Sequence, residues 1–556
     1  MRGLSVRTLR MHVDHAAIQS TLRLMFTMNS MSSPLSTSRS DLLSQLASQE
    51  QVDVLIIGGG ATGLGVALDA ALRGLSVVLL EAQDFAKGTS SRATKLVHGG
   101  VRYLAQGNIS LVREALHERT TLLRNAPHLA SPLAFVMPSY ACWETPFYGV
   151  GLKMYDALAG KAGLGSTRFM GTRQTLQALP GVRSQGLKGG VMYWDGQFDD
   201  ARLALALART AAAQGALLVN YCPVTELMHE AGKVVGAVCK DAETGTAYTI
   251  KASCVINAAG VWVDQFRQQD AQACGRSVEP MVAPSQGVHL VVDSDFLPGH
   301  NALLVPKTRD GRVLFAVPWL GKVILGTTDT PRHDLAYEPA PFPDEVRFIL
   351  EESARYLARA PQRSDVRSVW VGLRPLVKPS ADDGETTRKL SREHTIMVAG
   401  SGLVTVTGGK WTTYRAMAED VIARCQAAGL IKPHRPSRTD QFPLVGAPSF
   451  KAQAGAMANK PGLSAYGTES ALVASLPGHD RELLPGLTEA MVRFAARYEY
   501  ARTVEDILAR RSRWLFLDAA KAEQAAPDVA DILRHEMGHD PQLAVFIALA
   551  RQYQLI

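Results

Sequence analysis

The sequence predicts an α/β protein. A strand, glycine loop, helix and second strand open it, β-rich segments fill the middle, and a helical region closes it. Three observations carry this reading. Val52–Ile57 is an apolar run that ends directly in glycines. Gly287–Val292 and Val313–Ile324 are short runs rich in β-branched and aromatic residues. Beyond about residue 465 the apolar spacing becomes helical.

The 556 residues allow roughly two to four domains at about 150 residues each. Hydrophobic residues are 46% and charged residues 20%, which excludes disorder, collagen and coiled coil as the main architecture. Residues 1–48 read as a disordered tail outside the fold. Five arginines, at positions 2, 7, 10, 23 and 39, face one acid, Asp14. Such an Arg- and Ser-rich, acid-poor stretch is composed like a transit peptide, and a start at Met25, Met28 or Met31 is the alternative.

Order is expected to begin at Val52. Ala61–Arg73 reads as a helix and Ser76–Leu80 as a strand, completing a βαβ unit. Asp199–Gln214 reads as a helix ending at Gly215. Pro433, Pro436, Pro443 and Pro448 mark 431–450 as a linker. The main body is then 49–430, and 451–556 a C-terminal helical domain. Within the latter, Thr503-x-x-Asp506 is placed to cap a helix running to Asp518.

The net charge of +7 is partly carried by the first 39 residues. What remains suits an anionic substrate or membrane surface and is too weak to argue for nucleic acid. Six cysteines, at 142, 222, 239, 254, 274 and 425, show no C-x-x-C spacing, so free thiols are expected and a structural zinc is not. The longest charge-free stretch, Asn125–Trp143, holds Pro127, Pro132 and Pro138, which argues against a membrane span.

The chemistry begins at Gly58-x-Gly60-x-x-Gly63. The first glycine permits the tight turn, the second lets backbone approach a pyrophosphate, and the third lets helix and strand pack closely. The helix N-terminus then offers unpaired N–H groups to the phosphates. Glu81 ends the second strand, where a carboxylate accepts ribose hydroxyls. This is a Rossmann-type dinucleotide site, and both NAD and FAD use it. The loop from Gly88 to Tyr103 brings hydroxyls, a lysine, a histidine and the Gly99-Gly100 pair together, suited to passing under a pyrophosphate toward a flavin ring.

These segments resemble the FAD-dependent glycerol-3-phosphate dehydrogenases, within the D-amino-acid-oxidase-like flavoproteins. The resemblance runs from about Val52 to the C-terminus. It rests on GGGATGLG (58–65), TSSRATKLVHGGVRY (89–103), INAAGVWV (256–263), GTTDT (326–330), GLRPL (372–376) and GGKWTTYR (408–415), all in one order. It implies a Rossmann-type FAD-binding domain interleaved with a β-rich substrate domain. It places FAD against Gly58, Gly60, Gly63, Glu81, Thr89, Ser90, Ser91, Lys95, Leu96, His98, Gly99, Val224, Gly260, Gly409, Lys410 and Thr412. It places the substrate phosphate against Arg102, Arg374 and Arg392, helped by Tyr103 and Lys410.

A phosphate monoester carries nearly two charges and little apolar surface, so its site needs several cations, and the arginine fork suits its oxygens. Arg374, inside the stiff Gly-Leu-Arg-Pro-Leu, departs furthest from an ordinary solvated arginine. The implied reaction moves hydride from C2 of glycerol 3-phosphate to flavin N5 and gives dihydroxyacetone phosphate. A base working near neutral pH is most simply a histidine. His289 is favoured over His98 and Arg374 is counted with it as catalytic; the alternative for His289 is a buried strand histidine.

The resemblance further implies a quinone as acceptor and peripheral contact with membrane lipid. The expected location is the cytoplasmic face of a bacterial inner membrane, with the mitochondrial inner membrane as the alternative. A homodimer is compatible with it. Oxygen as acceptor, an amino-acid oxidase and a non-catalytic flavin-binding scaffold are the rival readings. His535-Glu-Met-Gly-His539 matches a zinc-protease signature. Gly538 and Asp540-Pro541 point to a helix end between the two histidines, so no metal is expected there.

Overall fold

The computed structural model describes residues 34–101, 108–378, 394–449 and 451–555. Its first element corrects the extent of the tail. Arg39–Ala47 (α1) is a helix that buries Leu42, Leu43 and Leu46. Arg39 is buried too, bonded to Asp241 and to the Asn220 and Tyr221 carbonyls. The end of this serine- and arginine-rich stretch therefore forms structure, because Arg39 finds a carboxylate far along the chain and three leucines are buried beside it.

Gln51–Ile57 (β1) lies in the middle of a parallel sheet, which explains the apolar run Val54–Ile57 at its C-terminal end: both faces are covered there, while Gln51 and Asp53 sit at the open end. Ala61–Leu72 (α2) follows, then Val77–Leu80 (β2), which pairs parallel with β1. The sheet order is His394–Val398, Val404–Gly408, Ala247–Asn257, β1, β2 and Leu217–Val219. An antiparallel hairpin, Val224–Glu230 with Lys233–Lys240, extends it from Ala247–Asn257.

A second sheet of ten strands is mostly antiparallel. It runs Thr330–Pro331, Val282–Asp293, Lys322–Gly326, Leu314–Trp319, Ala302–Val305, Ala130–Ser139, Gly189–Phe198 and Leu96–Val97. Ser368–Val377 pairs along Val282–Asp293, and Arg168–Gly171 along Gly189–Phe198. Strands of the two sheets alternate along the chain, so the nucleotide-binding and β-rich parts are interleaved as expected. The helix at Asp200–Ala213 starts where its N-cap Asp199 accepts from the Arg202 N–H.

The segment 431–449 is irregular but packed. Leu444 is buried, Asn125 donates to the Thr439 carbonyl, and Ser437 to Asp69. The C-terminal part is mainly helical, with a small hairpin of Glu482–Leu484 and Leu487–Thr488 that the sequence did not announce. Thr503 and Asp506 cap each other's N–H groups as expected. The helix after them does not continue to Asp518. It widens into a π-turn at Asp506–Arg511 and breaks at Arg513, whose φ is +69°. Ala519–Met537 ends at Gly538 with φ +71°, so His535 lies in the helix and His539 beyond it.

Thr37–Ile556 is one unit, and the C-terminal helices share a core with the second sheet. They also hold the nucleotide loop. Arg510 and Arg511 converge on Asp84, Lys87 pairs with Glu505 at 2.7 Å, and Arg513 donates to the Ser91 carbonyl at 2.8 Å. Burial alone would raise the Asp84 carboxyl; Arg511 and Arg510 override it and hold the group below its ordinary range.

Candidate active site

The β1–α2 turn forms one wall of a cavity of about 180 Å³. Gly58, Gly60, Glu81, Lys87–Ser90, Val224, Ala258–Trp262 and Tyr337 line it. Gly58 has φ +109°, and a side chain there would meet the Ala258 carbonyl oxygen at 2.6 Å. A side chain at Gly63 would collide with the Gly58 carbonyl. The turn therefore closes only without Cβ atoms, and the α2 N-terminus faces the cavity with its Gly60 N-cap offering no side-chain acceptor and only the Ala61 N–H taken by a side chain, Ser90. A phosphate fits such an end because its oxygens satisfy the N–H groups and the helix dipole favours negative charge.

Glu81 accepts from the N–H groups of Gly59 at 2.6 Å and Gln83 at 2.8 Å. Burial pushes its carboxyl up, and these bonds oppose the shift. A carboxylate has about four acceptor sites, so the Glu81 oxygens still have capacity for a hydroxyl. Opposite, Trp262 and Tyr337 rings lie 4.6 Å apart at 30°.

The loop after Gly88 runs from this cavity into the second sheet. Thr89 donates to the Leu373 carbonyl at 2.5 Å, and Ser90 accepts from the Ala61 N–H at 2.9 Å. The Ser90 carbonyl receives the Trp411 indole at 2.8 Å. Ser91 is buried and its carbonyl takes both Lys95 and Arg513. Lys95 differs from the expected cofactor contact, because its ammonium turns into the core. It pairs with Asp200 at 2.7 Å and lies over the rings of Trp370, Trp319 and Phe516. Burial pulls its pKa down to about 7, against the pull of Asp200. Leu96 is buried in its short strand. The His98 and Gly99 backbone N–H groups meet Thr412 and Tyr155.

Thr94, at the far end of this loop, bonds His289 Nε2 at 2.9 Å. His289 is 2% exposed and stacks on Trp370 with centroids 4.0 Å apart. The strand register sets this contact, since His289 sits directly opposite Trp370. Burial first, then Arg374 and Lys95, hold the imidazole well below its ordinary pKa. Its Nδ1 is buried with no hydrogen-bond partner among the described residues. Four positions beyond Trp370, Arg374 reaches across Gly287 to Asp329 at 3.1 Å, the Thr328 carbonyl at 3.0 Å and Thr327. A side chain at Gly287 would occupy the position of that guanidinium.

On the other side, Gly409 has φ +72° and Lys410 is half-buried. Gly260 has φ +62° and its carbonyl accepts from Thr407 at 3.2 Å. Arg102, Tyr103 and Arg392 lie outside the described residues. The geometry brings the glycine turn, Glu81, Thr89, Ser90, Val224 and Gly260 to one cavity, and His289 and Arg374 to one edge of the second sheet. Trp370 escaped sequence reasoning, and Thr94 and Trp411, although inside the 89–103 and 408–415 segments, were given no role of their own. Their partners are remote in sequence, and no spacing rule marks them.

Comparison with known proteins gives this arrangement its family. The family of FAD dependent oxidoreductases matches residues 53–415, and the C-terminal domain of alpha-glycerophosphate oxidase matches 437–544. A probable mitochondrial glycerol-3-phosphate dehydrogenase of Caenorhabditis elegans is 42% identical over 90% of this chain and 72% of its own. The mitochondrial glycerol-3-phosphate dehydrogenase of Homo sapiens is 40% identical over 90% and 73%. The chain belongs to the FAD-dependent glycerol-3-phosphate dehydrogenase family. A solved glycerol-3-phosphate dehydrogenase of Bacillus halodurans, complexed with FAD, superposes with a TM-score of 0.73 at 30% identity. It covers 93% of this chain and 97% of its own. FAD is the cofactor of this family member, and the cavity beneath the α2 N-terminus fits its dinucleotide part.

Proposed function

We propose that this dehydrogenase oxidises glycerol 3-phosphate to dihydroxyacetone phosphate and passes the electrons to a quinone. One observation carries the reading: a single loop lines the nucleotide cavity with Gly88, Thr89 and Ser90 and supports His289 through Thr94. The cofactor cavity and a buried neutral imidazole are thereby held by the same backbone.

FAD, when bound, supplies the hydride acceptor. The residues supply position and charge. Gly58, Gly60 and Gly63 admit the pyrophosphate to the helix end, Glu81 takes a ribose hydroxyl, and Val224 and Gly260 line the same cavity. Thr89, Ser90, Ser91, Lys95, Leu96, His98 and Gly99 set the path of the loop; the role of Lys95 is to fix that loop through Asp200 and the Ser91 carbonyl. Gly409, Lys410 and Thr412 complete the cofactor side. Arg374, with Arg102, Arg392, Tyr103 and Lys410, holds the phosphate. His289 takes the C2 hydroxyl proton; being neutral when buried, it is already in the accepting form. Asp329 keeps the Arg374 fork oriented before substrate arrives.

The test is turnover of purified, flavin-loaded protein with glycerol 3-phosphate, comparing a quinone analogue with oxygen. Reduction of the quinone analogue without appreciable oxygen consumption is expected. Hydrogen peroxide formation at the same rate would make it an oxidase, and no flavin bleaching by glycerol 3-phosphate would overturn the substrate.

A quinone acceptor places the enzyme at a membrane. No helix among the described residues is long and apolar enough to cross one, which supports peripheral attachment. The inner face of a bacterial inner membrane and the mitochondrial inner membrane both hold quinone, and the names of the curated relatives favour the second. Cell fractionation with high-salt or mild-detergent release tests the attachment.

A further inference from the structure

We infer that the Glu144–Ala159 helix, with the adjoining strand Arg168–Gly171, is the surface that docks on an anionic lipid bilayer. The inference rests on the membrane reading above and supplies what it lacks, the residues that touch lipid.

This helix is apolar on two opposite sides, and the fold covers only one. Leu152, Tyr155 and Ala159 are buried. Trp143, Phe147, Val150 and Met154 are 59%, 66%, 61% and 54% exposed. Their spacing of four, three and four residues places them within about 60° of arc at roughly 100° per residue. An amphipathic helix on a soluble surface puts polar residues on that side. Trp143 and Phe147 form an edge-to-face pair at 5.9 Å. Phe169, itself 50% exposed, lies over Gly149, where a side chain would run into its ring. Exposed apolar residues scattered singly need no explanation, but four on one arc of a helix, with Phe169 packed on its flank at Gly149, do.

Charge selects the partner. Both acids of the helix are turned to backbone. Glu144 accepts from the N–H groups of Tyr140 at 2.7 Å and Ala141 at 3.0 Å, and Asp156 from Thr167 at 2.6 Å. The nearby cations are exposed: Lys153 on the helix, Arg168 beside Phe169, and Arg173 and Lys188. Gly171 and Ser139 both pair with Gly189, so Arg173 and Lys188 share one sheet end with the start of the helix. Aromatic residues at headgroup depth with a basic rim suit a helix lying in the plane of an anionic membrane surface. At 16 residues the helix is too short to span a bilayer, which needs about 20.

The test uses the flavin-loaded full chain and vesicles of phosphatidylcholine, with and without phosphatidylglycerol. Wild type is expected to co-sediment with the anionic vesicles and much less with the neutral ones. The F147D/V150D variant is expected to lose at least about tenfold in partitioning. The K153E/R168E variant should lose the preference for phosphatidylglycerol. Both should keep flavin content and turnover with a soluble dye acceptor, since every substituted side chain is exposed. If wild type binds and F147D/V150D binds equally well, the docking surface is elsewhere and the membrane reading stands. If wild type binds neither vesicle, the membrane reading itself fails. If instead wild type self-associates in sedimentation velocity, F147D/V150D is monomeric, and neither binds vesicles, the face is an interface between copies and the lipid assignment is overturned.

Discussion

The imidazole of His289 lies on the indole of Trp370, centroids 4.0 Å apart and planes 19° from parallel. Thr94 bonds its Nε2 from the loop that follows Gly88. Stack and bond together fix the ring's plane and position, which a proton acceptor needs before pKa matters. Replacing His289 by Asn is expected to lower kcat by about 10²- to 10⁴-fold. FAD content should be unchanged, because His289 does not line the nucleotide cavity. Steady-state rates and a flavin count decide it; a variant with wild-type kcat would remove His289 from the chemistry.

The same burial makes a pH prediction. His289 is held well below its ordinary pKa, so the folded state keeps it neutral while the unfolded state protonates below about 6.5. The unfolded state then binds more protons, and stability falls as pH drops below that value. The slope from one such group is at most about 1.4 kcal/mol per pH unit. Melting curves at pH 7 and pH 5 should show a smaller loss for His289→Asn than for wild type. Equal losses in both would place the acid sensitivity elsewhere, with His128, whose pKa burial and Arg202 depress to about 3, as the next candidate.

Arg374 is expected to act on the phosphate alone. Arg374→Ala should cost roughly 2–5 kcal/mol in transition-state binding, or about 30- to several-thousand-fold in kcat/KM. The loss should fall on glycerol 3-phosphate and spare unphosphorylated glycerol. Because Asp329 loses its ion pair with Arg374 in that variant and keeps the hydrogen bond from Ser285, Arg374→Ala/Asp329→Asn serves as a control that removes the carboxylate charge as well. Equal losses on both substrates with FAD retained would show that Arg374 supports the strand and not the phosphate.

The nucleotide half was readable because its chemistry is local. Gly58, Gly60, Gly63 and Glu81 sit within one βαβ unit and are recognised by their spacing, although only Gly63 answers a steric demand a few residues away; Gly58 is crowded by Ala258 and Gly60 by Ser90. The second sheet was readable only as β-rich, since its order joins strands from 96 to 377 and no short window records that pairing. Lys95 looked like a cofactor contact because it lies in the loop that lines the nucleotide cavity; its direction depends on Asp200, Trp370 and Phe516, none of them local. The helix through Asp518 failed for a related reason. Arg510, Arg511 and Arg513 must face Asp84 and Asp200 together, and a regular helix does not present all three that way.

Gly63→Ala tests the turn. The added methyl would collide with the Gly58 carbonyl, which is backbone and cannot swing aside. Overpacking of this kind costs about 1–3 kcal/mol, and relief requires α2 to move away from β1. The expected outcome is loss of most bound FAD at purification, read from the flavin absorbance relative to protein, with the far-UV spectrum near wild type. Full flavin occupancy would mean that the turn relaxes and that close packing here is not what admits the cofactor.

The last prediction concerns α1, where the sequence suggested a dispensable tail. Asp241 is 0% exposed, and Arg39 is the basic group that meets it; Arg39 also satisfies the Asn220 and Tyr221 carbonyls. Removing one partner of a buried pair leaves an uncompensated charge, at about 3–5 kcal/mol. The Asp241 carboxylate is partly compensated by Thr244, through its hydroxyl and its N–H at 2.8 Å, so the lower end is expected. Truncation through Ser40, or Arg39→Ala alone, should therefore lower the melting temperature, while Arg39→Ala/Asp241→Asn should recover part of the loss. The sign with pH follows from Asp241, which Thr244 and Arg39 hold below its ordinary range against burial. Its stabilisation is present above the unfolded carboxylate pKa of about 3.9 and is lost as pH falls through the lower folded value. The difference between wild type and Arg39→Ala should shrink in acid. Equal melting temperatures at neutral pH would show that α1 holds nothing in place.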